Sequence, residues 1–134
     1  MRIGGGACER GVKPGERLLP TDGRVISFGP DSSAVTEIAS GARLLVDVEF
    51  GRGRTLHALS QGVWDGAFEG SPALPFTGSI VEVNGDGTFT VLASAIDRST
   101  SLEFIGDTAY VVTLGGEIWA FDDVLSGPPY GVAR

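Results

Sequence analysis

From residue 23 onward, short apolar runs alternate with turn signals at a spacing that predicts strands. The runs cover 24–28, 35–39, 46–50, 55–60, 79–83, 88–93, 100–105, 108–114 and 117–122. In the third run Val46, Val48 and Phe50 fall on one face and Asp47 and Glu49 on the other. Asn84-Gly85-Asp86-Gly87 sits between two runs as a hairpin signal. Gly29-Pro30-Asp31-Ser32-Ser33, Gly51-Arg52-Gly53, Gly106-Asp107 and Gly115-Gly116 mark further turns. No window carries sustained helical spacing, so the chain is expected to be all-β, with antiparallel strands over 23–122. Tyr110-Val111-Val112-Thr113-Leu114 is nearly continuous in its apolar character, which predicts a strand covered on both faces.

The pattern recurs. Residues 38–62 fall on residues 92–116 at an offset of 54, with Ala39-Ser40 on Ala93-Ser94, Glu49-Phe50 on Glu103-Phe104, Val48 on Leu102 and Leu56 on Tyr110. At an offset of 55, Gly23 to Phe28 fall on Gly78 to Val83. The offset contains an insertion over 63–77; without it the period is about 40 residues, the length of a four-stranded propeller blade. The expected architecture is therefore a partial β-propeller of about two four-stranded antiparallel blades. Its core is expected to include Val48, Phe50, Leu56, Leu102, Phe104, Tyr110, Val112 and Trp119. Residues 1–22, broken by Gly4-Gly5-Gly6, Gly11, Pro14 and Gly15, read as a disordered leader, and 125–134 as a C-terminal tail.

The phrases GSIVEVNGDGTFTVLAS, TSLEFIGDTAYVVTLGGEIWAFDDV and the closing GPPYG resemble the C-terminal blades of the ScyD/ScyE family. GRVISFGPDSSAVTEIASG resembles the preceding blade edge. These are secreted-type, NHL-like β-propellers named from scytonemin biosynthesis clusters. The resemblance covers residues 20–131 and implies an architecture; it brings no reaction with it. A propeller of this kind has about six blades, so the resemblance implies that this chain is a truncated fragment lacking N-terminal blades.

Composition narrows the chemistry. Ten Lys+Arg against 17 Asp+Glu among 134 residues give a formal net charge of -7. A chain this acidic has no electrostatic footprint for nucleic acid or an anionic membrane. No run approaches the roughly 18 apolar residues of a membrane span. One Cys excludes an internal disulfide framework, and one His removes most His-centred catalysis. Gly5-Gly6-Ala7-Cys8 lacks the preceding apolar run of a lipoprotein signal, and no signal peptide is read in this chain. Localisation stays open, since the resembled family is secreted.

Three groups of residues are candidates for chemistry. Asp47 and Glu49 share one face of a strand, and Ser101 and Glu103 hold the same places in the next repeat; on inner strands, Asp47, Glu49 and Glu103 would line a central channel and bind a cation or a polyol. The competing reading is a solvated strand face, or pairing with Arg43, Arg52 or Arg98. Calcium is the one ion this pattern admits; no cofactor is otherwise expected. Trp64, Phe68 and Phe76 in the insertion are candidate ligand contacts, or else fold back to plug the propeller face. Asn84 to Thr88 carries too few oxygen ligands for a calcium loop and reads as a turn. His57, in mid-strand, is expected to be structural. The function expected is a non-catalytic β-propeller binding or scaffold module; the alternative is a fragment of a cation-dependent, sugar-lactonase-like propeller hydrolase. The expected partners are other propeller blades or further copies of the chain, joined through exposed blade faces.

Overall fold

The computed structural model of the chain describes residues 2–5, 23–31 and 34–125. Ten strands form among them: β1 Arg2–Gly5, β2 Gly23–Phe28, β3 Val35–Ala42, β4 Leu45–Phe50, β5 Leu56–Ser60, β6 Gly78–Val83, β7 Phe89–Ile96, β8 Ser99–Ile105, β9 Thr108–Thr113 and β10 Ile118–Phe121. A single 3-10 turn, Arg52–Arg54, is the only helical element among the described residues. The all-β expectation is met, and each of the nine expected strands is present. Within the stretch read as a leader, β1 pairs antiparallel with β2. Its glycines give no side-chain periodicity to read, and ladder hydrogen bonds do not need one. The rest of 1–22, with Ser32, Ser33 and 126–134, lies outside the described residues.

The strands form three antiparallel sheets, ordered β1-β2-β3, β4-β5-β6-β7 and β10-β9-β8. The middle sheet is sandwiched. One of its faces brings Ala58 and Val81 against Val25, Ile38 and Ala42 of the first sheet. The other brings Leu59, Ile80, Leu92 and Ile96 against Leu102, Ala109 and Val111 of the third. Alternation along each strand assigns these sets to opposite faces, because Ala58 pairs with Val81 and Leu59 with Ile80. Burial of each large aliphatic side chain stabilises the stack by about 1.5–3 kcal/mol. Corresponding strands lie against one another: β4 against β8, and β3 against β7.

The pairing itself recurs. In the first sheet Gly23 faces Ala42, Val25 faces Ala39 and Phe28 faces Val35. In the middle sheet Gly78 faces Ile96, Ile80 faces Ala93 and Val83 faces Phe89, with register shifts at the corresponding places. The bulge between Leu45 and Asp47 in β4 has its counterpart between Ser99 and Ser101 in β8. The links into these strands also correspond, with Leu44 at φ 42° and Arg98 at φ 40°. Gly23 and Gly78 are glycine for the same reason: a Cβ would come within 2.6 Å of the Ala42 carbonyl oxygen in one case and 2.9 Å of the Ile96 carbonyl oxygen in the other.

One register departs from the expected alignment. Phe50 pairs with Leu56, but Phe104 pairs with Ala109 and not with Tyr110. The span between the paired residues is one residue shorter from Phe104 to Ala109 than from Phe50 to Leu56. A one-residue slip exchanges the two faces of a strand. Ala109 and Val111 therefore face the core, while Tyr110 and Val112, expected inside, turn to the opposite face and are half-buried. Phe50, also expected in the core, is the last residue of an edge strand and is 52% exposed. Leu56 and Leu102 are buried as expected, and Phe104 and Trp119 pack against the core while half-buried. Cover on both faces belongs to β5, in which every residue is buried, and not to β9, where burial alternates. At the far end Val124 is buried and Leu125, expected in the tail, packs against the same core.

Candidate functional site

The bulge at the start of β4 turns Asp47 towards the third sheet. Its Oδ1 accepts a hydrogen bond from the Val48 N–H at 2.9 Å. Its Oδ2 accepts one from the Leu102 N–H in β8 at 2.8 Å. The carboxylate thus ties two edge strands of adjacent sheets together. Glu49 shares its face two residues on, opposite His57. Burial first, then the Glu103 and Asp47 carboxylates, raise the Glu49 carboxyl above its ordinary value. The three expected acidic residues are therefore neighbours. Among the described residues, no group of three or more His, Cys, Asp or Glu is placed to hold a metal ion. Arg52 and Arg98 do not neutralise this patch: Arg52 pairs with Asp107 at 2.6 Å and Arg98 with Asp97 at 2.8 Å.

His57 is flanked in the sheet by two acids, Glu49 on β4 and Glu82 on β6. The imidazole is 1% exposed and lies against the Phe104 ring at a centroid distance of 4.8 Å. Its Nδ1 is 3.1 Å from the Thr55 carbonyl oxygen. Gly51 makes room for the ring, since a Cβ there would come within 2.6 Å of Cε1. Burial pushes the imidazole below its ordinary value of 6.5, against the opposing pull of Glu82 and the Thr55 carbonyl. Nε2 is buried with no hydrogen-bond partner among the described residues. The expectation of a structural His holds for one ring nitrogen only. His57 also lines a pocket of about 310 Å³ with Thr55, Glu82, Leu92, Val124 and Leu125. Glu82 was not singled out from sequence, because the insertion between β5 and β6 hides the pairing of residues 57 and 82. The repeat offset was the signal that could have exposed it, since it aligns β6 with β2.

The insertion over 63–77 is closed on itself. The Val63 N–H donates to Thr77 Oγ1 at 2.9 Å, and Leu74 N–H donates to the Val63 carbonyl at 2.7 Å. Gln61 Oε1 accepts from the Ala73 N–H at 3.1 Å. Trp64 is half-buried and its Nε1–H donates to Ser71 Oγ at 2.6 Å. Phe68 is 65% exposed, and Phe76 is 59% exposed with its ring 6.2 Å from that of Trp119. The three aromatics are thus not gathered into one surface: one is tethered inside the loop, one faces water, and one extends the edge of the third sheet.

Asn84 to Thr88 forms the expected turn. Asn84 N–H donates to the Thr88 carbonyl at 2.9 Å, and Gly87 takes a positive φ of 87°. The Asp86 carboxylate accepts from the Thr88 backbone N–H at 3.0 Å and from its hydroxyl, and these bonds hold its carboxyl below the ordinary value. No helix among the described residues is long and apolar enough to cross a membrane. The chain matches no protein-family model, no curated protein and no solved structure.

Proposed function

We propose that the chain is a stack of β-propeller blades acting as a non-catalytic binding or scaffold module, resembling the C-terminal part of the ScyD/ScyE family with its NHL-like repeats. The observation that carries this reading is the recurrence of register, bulge position and link conformation from one sheet to the next. Sheets related in this way stack face to face, each burying its neighbour. The third sheet has a face that no other described sheet covers, carrying Tyr110, Val112 and Ile118, the last 70% exposed. In this reading that face receives a further blade, from another chain or another copy of this one. Each copy carries three sheets, so two copies would supply six.

Size-exclusion chromatography with light scattering tests it. The expected species is larger than the 13.9 kDa monomer. The double substitution Val112→Lys and Ile118→Lys should return it towards the monomer, because two desolvated charges cannot be accommodated between packed sheets. A monodisperse 13.9 kDa species with a cooperative melt would overturn the proposal.

A further inference from the structure

The turn between β6 and β7 carries a chemistry that its geometry does not call for. Gly87 takes a positive φ there, and Gly85 does not. A Cβ built on Gly85 would meet nothing within 4 Å. Neither backbone conformation nor packing therefore demands glycine at 85. What glycine does there is leave its amide nitrogen unshielded on an exposed residue, directly after an asparagine. A side-chain amide beside such a nitrogen can cyclise. The nitrogen loses its proton to water and bonds to Asn84 Cγ, the Cγ–Nδ2 bond breaks, and Nδ2 leaves as ammonia. Water then opens the cyclic imide at either carbonyl, giving aspartate or isoaspartate. In sum water enters, ammonia departs, and nothing is oxidised or reduced. The folded turn restrains this step. Asn84 Nδ2 donates to Thr88 Oγ1 at 3.0 Å and to Thr90 Oγ1 at 2.9 Å. The Thr88 hydroxyl gives its own proton to the Asp86 carboxylate, which only accepts, so its oxygen is left to accept from Asn84. Both N–H groups of the departing amide are thus bound, and the side chain is held across the turn, away from the Gly85 nitrogen.

We propose that Asn84 is a latent site of spontaneous deamidation, held back in the folded chain by the Thr88 and Thr90 hydroxyls and released when the β6–β7 turn opens. The consequence reaches beyond one side chain. The Asn84 N–H closes the turn on the Thr88 carbonyl at 2.9 Å, and the Gly87 carbonyl accepts from the Ser40 N–H of β3 at 3.3 Å. The same turn therefore joins the middle sheet to the first. Isoaspartate would insert a methylene into the backbone at that point, just after Val83, which pairs with Phe89 at the end of the ladder. Aspartate would place a further carboxylate between Glu82 and Asp86. The site lies within one hairpin and is independent of how blades assemble.

Asn84 is the only asparagine in the chain and Gln61 the only glutamine, so peptide mass mapping assigns a deamidated product without ambiguity. The test is timed incubation of the full chain at mildly alkaline pH, folded in buffer or unfolded in guanidinium chloride. Conversion at Asn84 should be at least about tenfold slower in the folded chain, the effect of two retained hydrogen bonds. Thr88→Ala combined with Thr90→Val should raise the folded rate several-fold. Thr88→Ser, which keeps the hydroxyl, should leave it unchanged. Gly85→Ala should suppress conversion in both states, because its methyl group shields the attacking nitrogen. Folded and unfolded chains are compared on the unsubstituted protein, so that arm stands whether or not a variant folds. Equal rates in the two states, or no conversion at Asn84 in the unfolded chain, overturn the proposal. So does a folded double variant that converts as slowly as the natural chain.

Discussion

β5 and β9 occupy the same place in successive sheets, each next to the edge strand that opens its sheet. By composition β9 is the better core strand: Thr-Ala-Tyr-Val-Val-Thr against Leu-His-Ala-Leu-Ser. Yet every residue of β5 is buried, the histidine included, while Tyr110 and Val112 of β9 are only half-buried. The difference lies in the neighbours. β5 has a sheet on each side, and β9 has one described sheet on one side. Strand hydrophobicity reports what a strand can tolerate, and the stacking order decides what it experiences.

The largest expected effect separates the two environments. Ile80, 0% exposed in the middle sheet, should cost about 2–5 kcal/mol when replaced by Ala. Ile118, 70% exposed at the edge of the third, should change stability by less than about 0.5 kcal/mol on the same replacement, unless its face is occupied. Urea unfolding of both variants measures the contrast. Equal costs would mean that the open face is filled in solution.

A smaller effect is expected at the tie between the sheets. Asp47→Ala removes the acceptor of the Leu102 N–H and should cost about 1–3 kcal/mol. Amide exchange at Leu102 should quicken by more than at Val111 in the same sheet. A uniform change at both would show that Asp47 acts on the whole fold.

The smallest effect is a pH dependence at the two-sided strand. The folded-state value of His57 lies below 6.5. Above 6.5 the imidazole is neutral in folded and unfolded chains alike, and the contribution of the buried ring is fully present. As the pH falls from 6.5 towards the lowered folded value, only the unfolded chain takes up the proton, so stability is lost. Urea midpoints from about pH 7.5 down to about pH 5 should fall more steeply for the natural chain than for His57→Gln. Parallel slopes would show that the ring is not buried as described.

Strand positions and turns were legible in sequence because alternation and glycine placement are local signals. The correspondence of Glu49 with Glu103, and of Asp47 with Ser101, was legible too, since the repeat offset aligns them. What escaped was set by non-local facts. The facing of Tyr110 and Val112 depends on the length of a hairpin, and one residue there inverts the strand. The pairing of His57 with Glu82 spans an insertion. The pairing of β1 with β2 involves glycines that carry no pattern. The role of Asp47 as an acceptor for another sheet's backbone has no signature along the chain.

That last arrangement bears on aggregation. β4 and β8 are both edges of their sheets, and an edge offers unsatisfied N–H groups to any extended peptide that drifts near. Asp47 occupies one of those donors on β8 with a charged group, which at once satisfies the backbone and repels an incoming strand. At the corresponding place on β8 stands Ser101, whose neutral hydroxyl carries no charge to repel a strand. The guard is thus present at the junction between the middle and third sheets and lacking beside the face of the third sheet that no other described sheet covers.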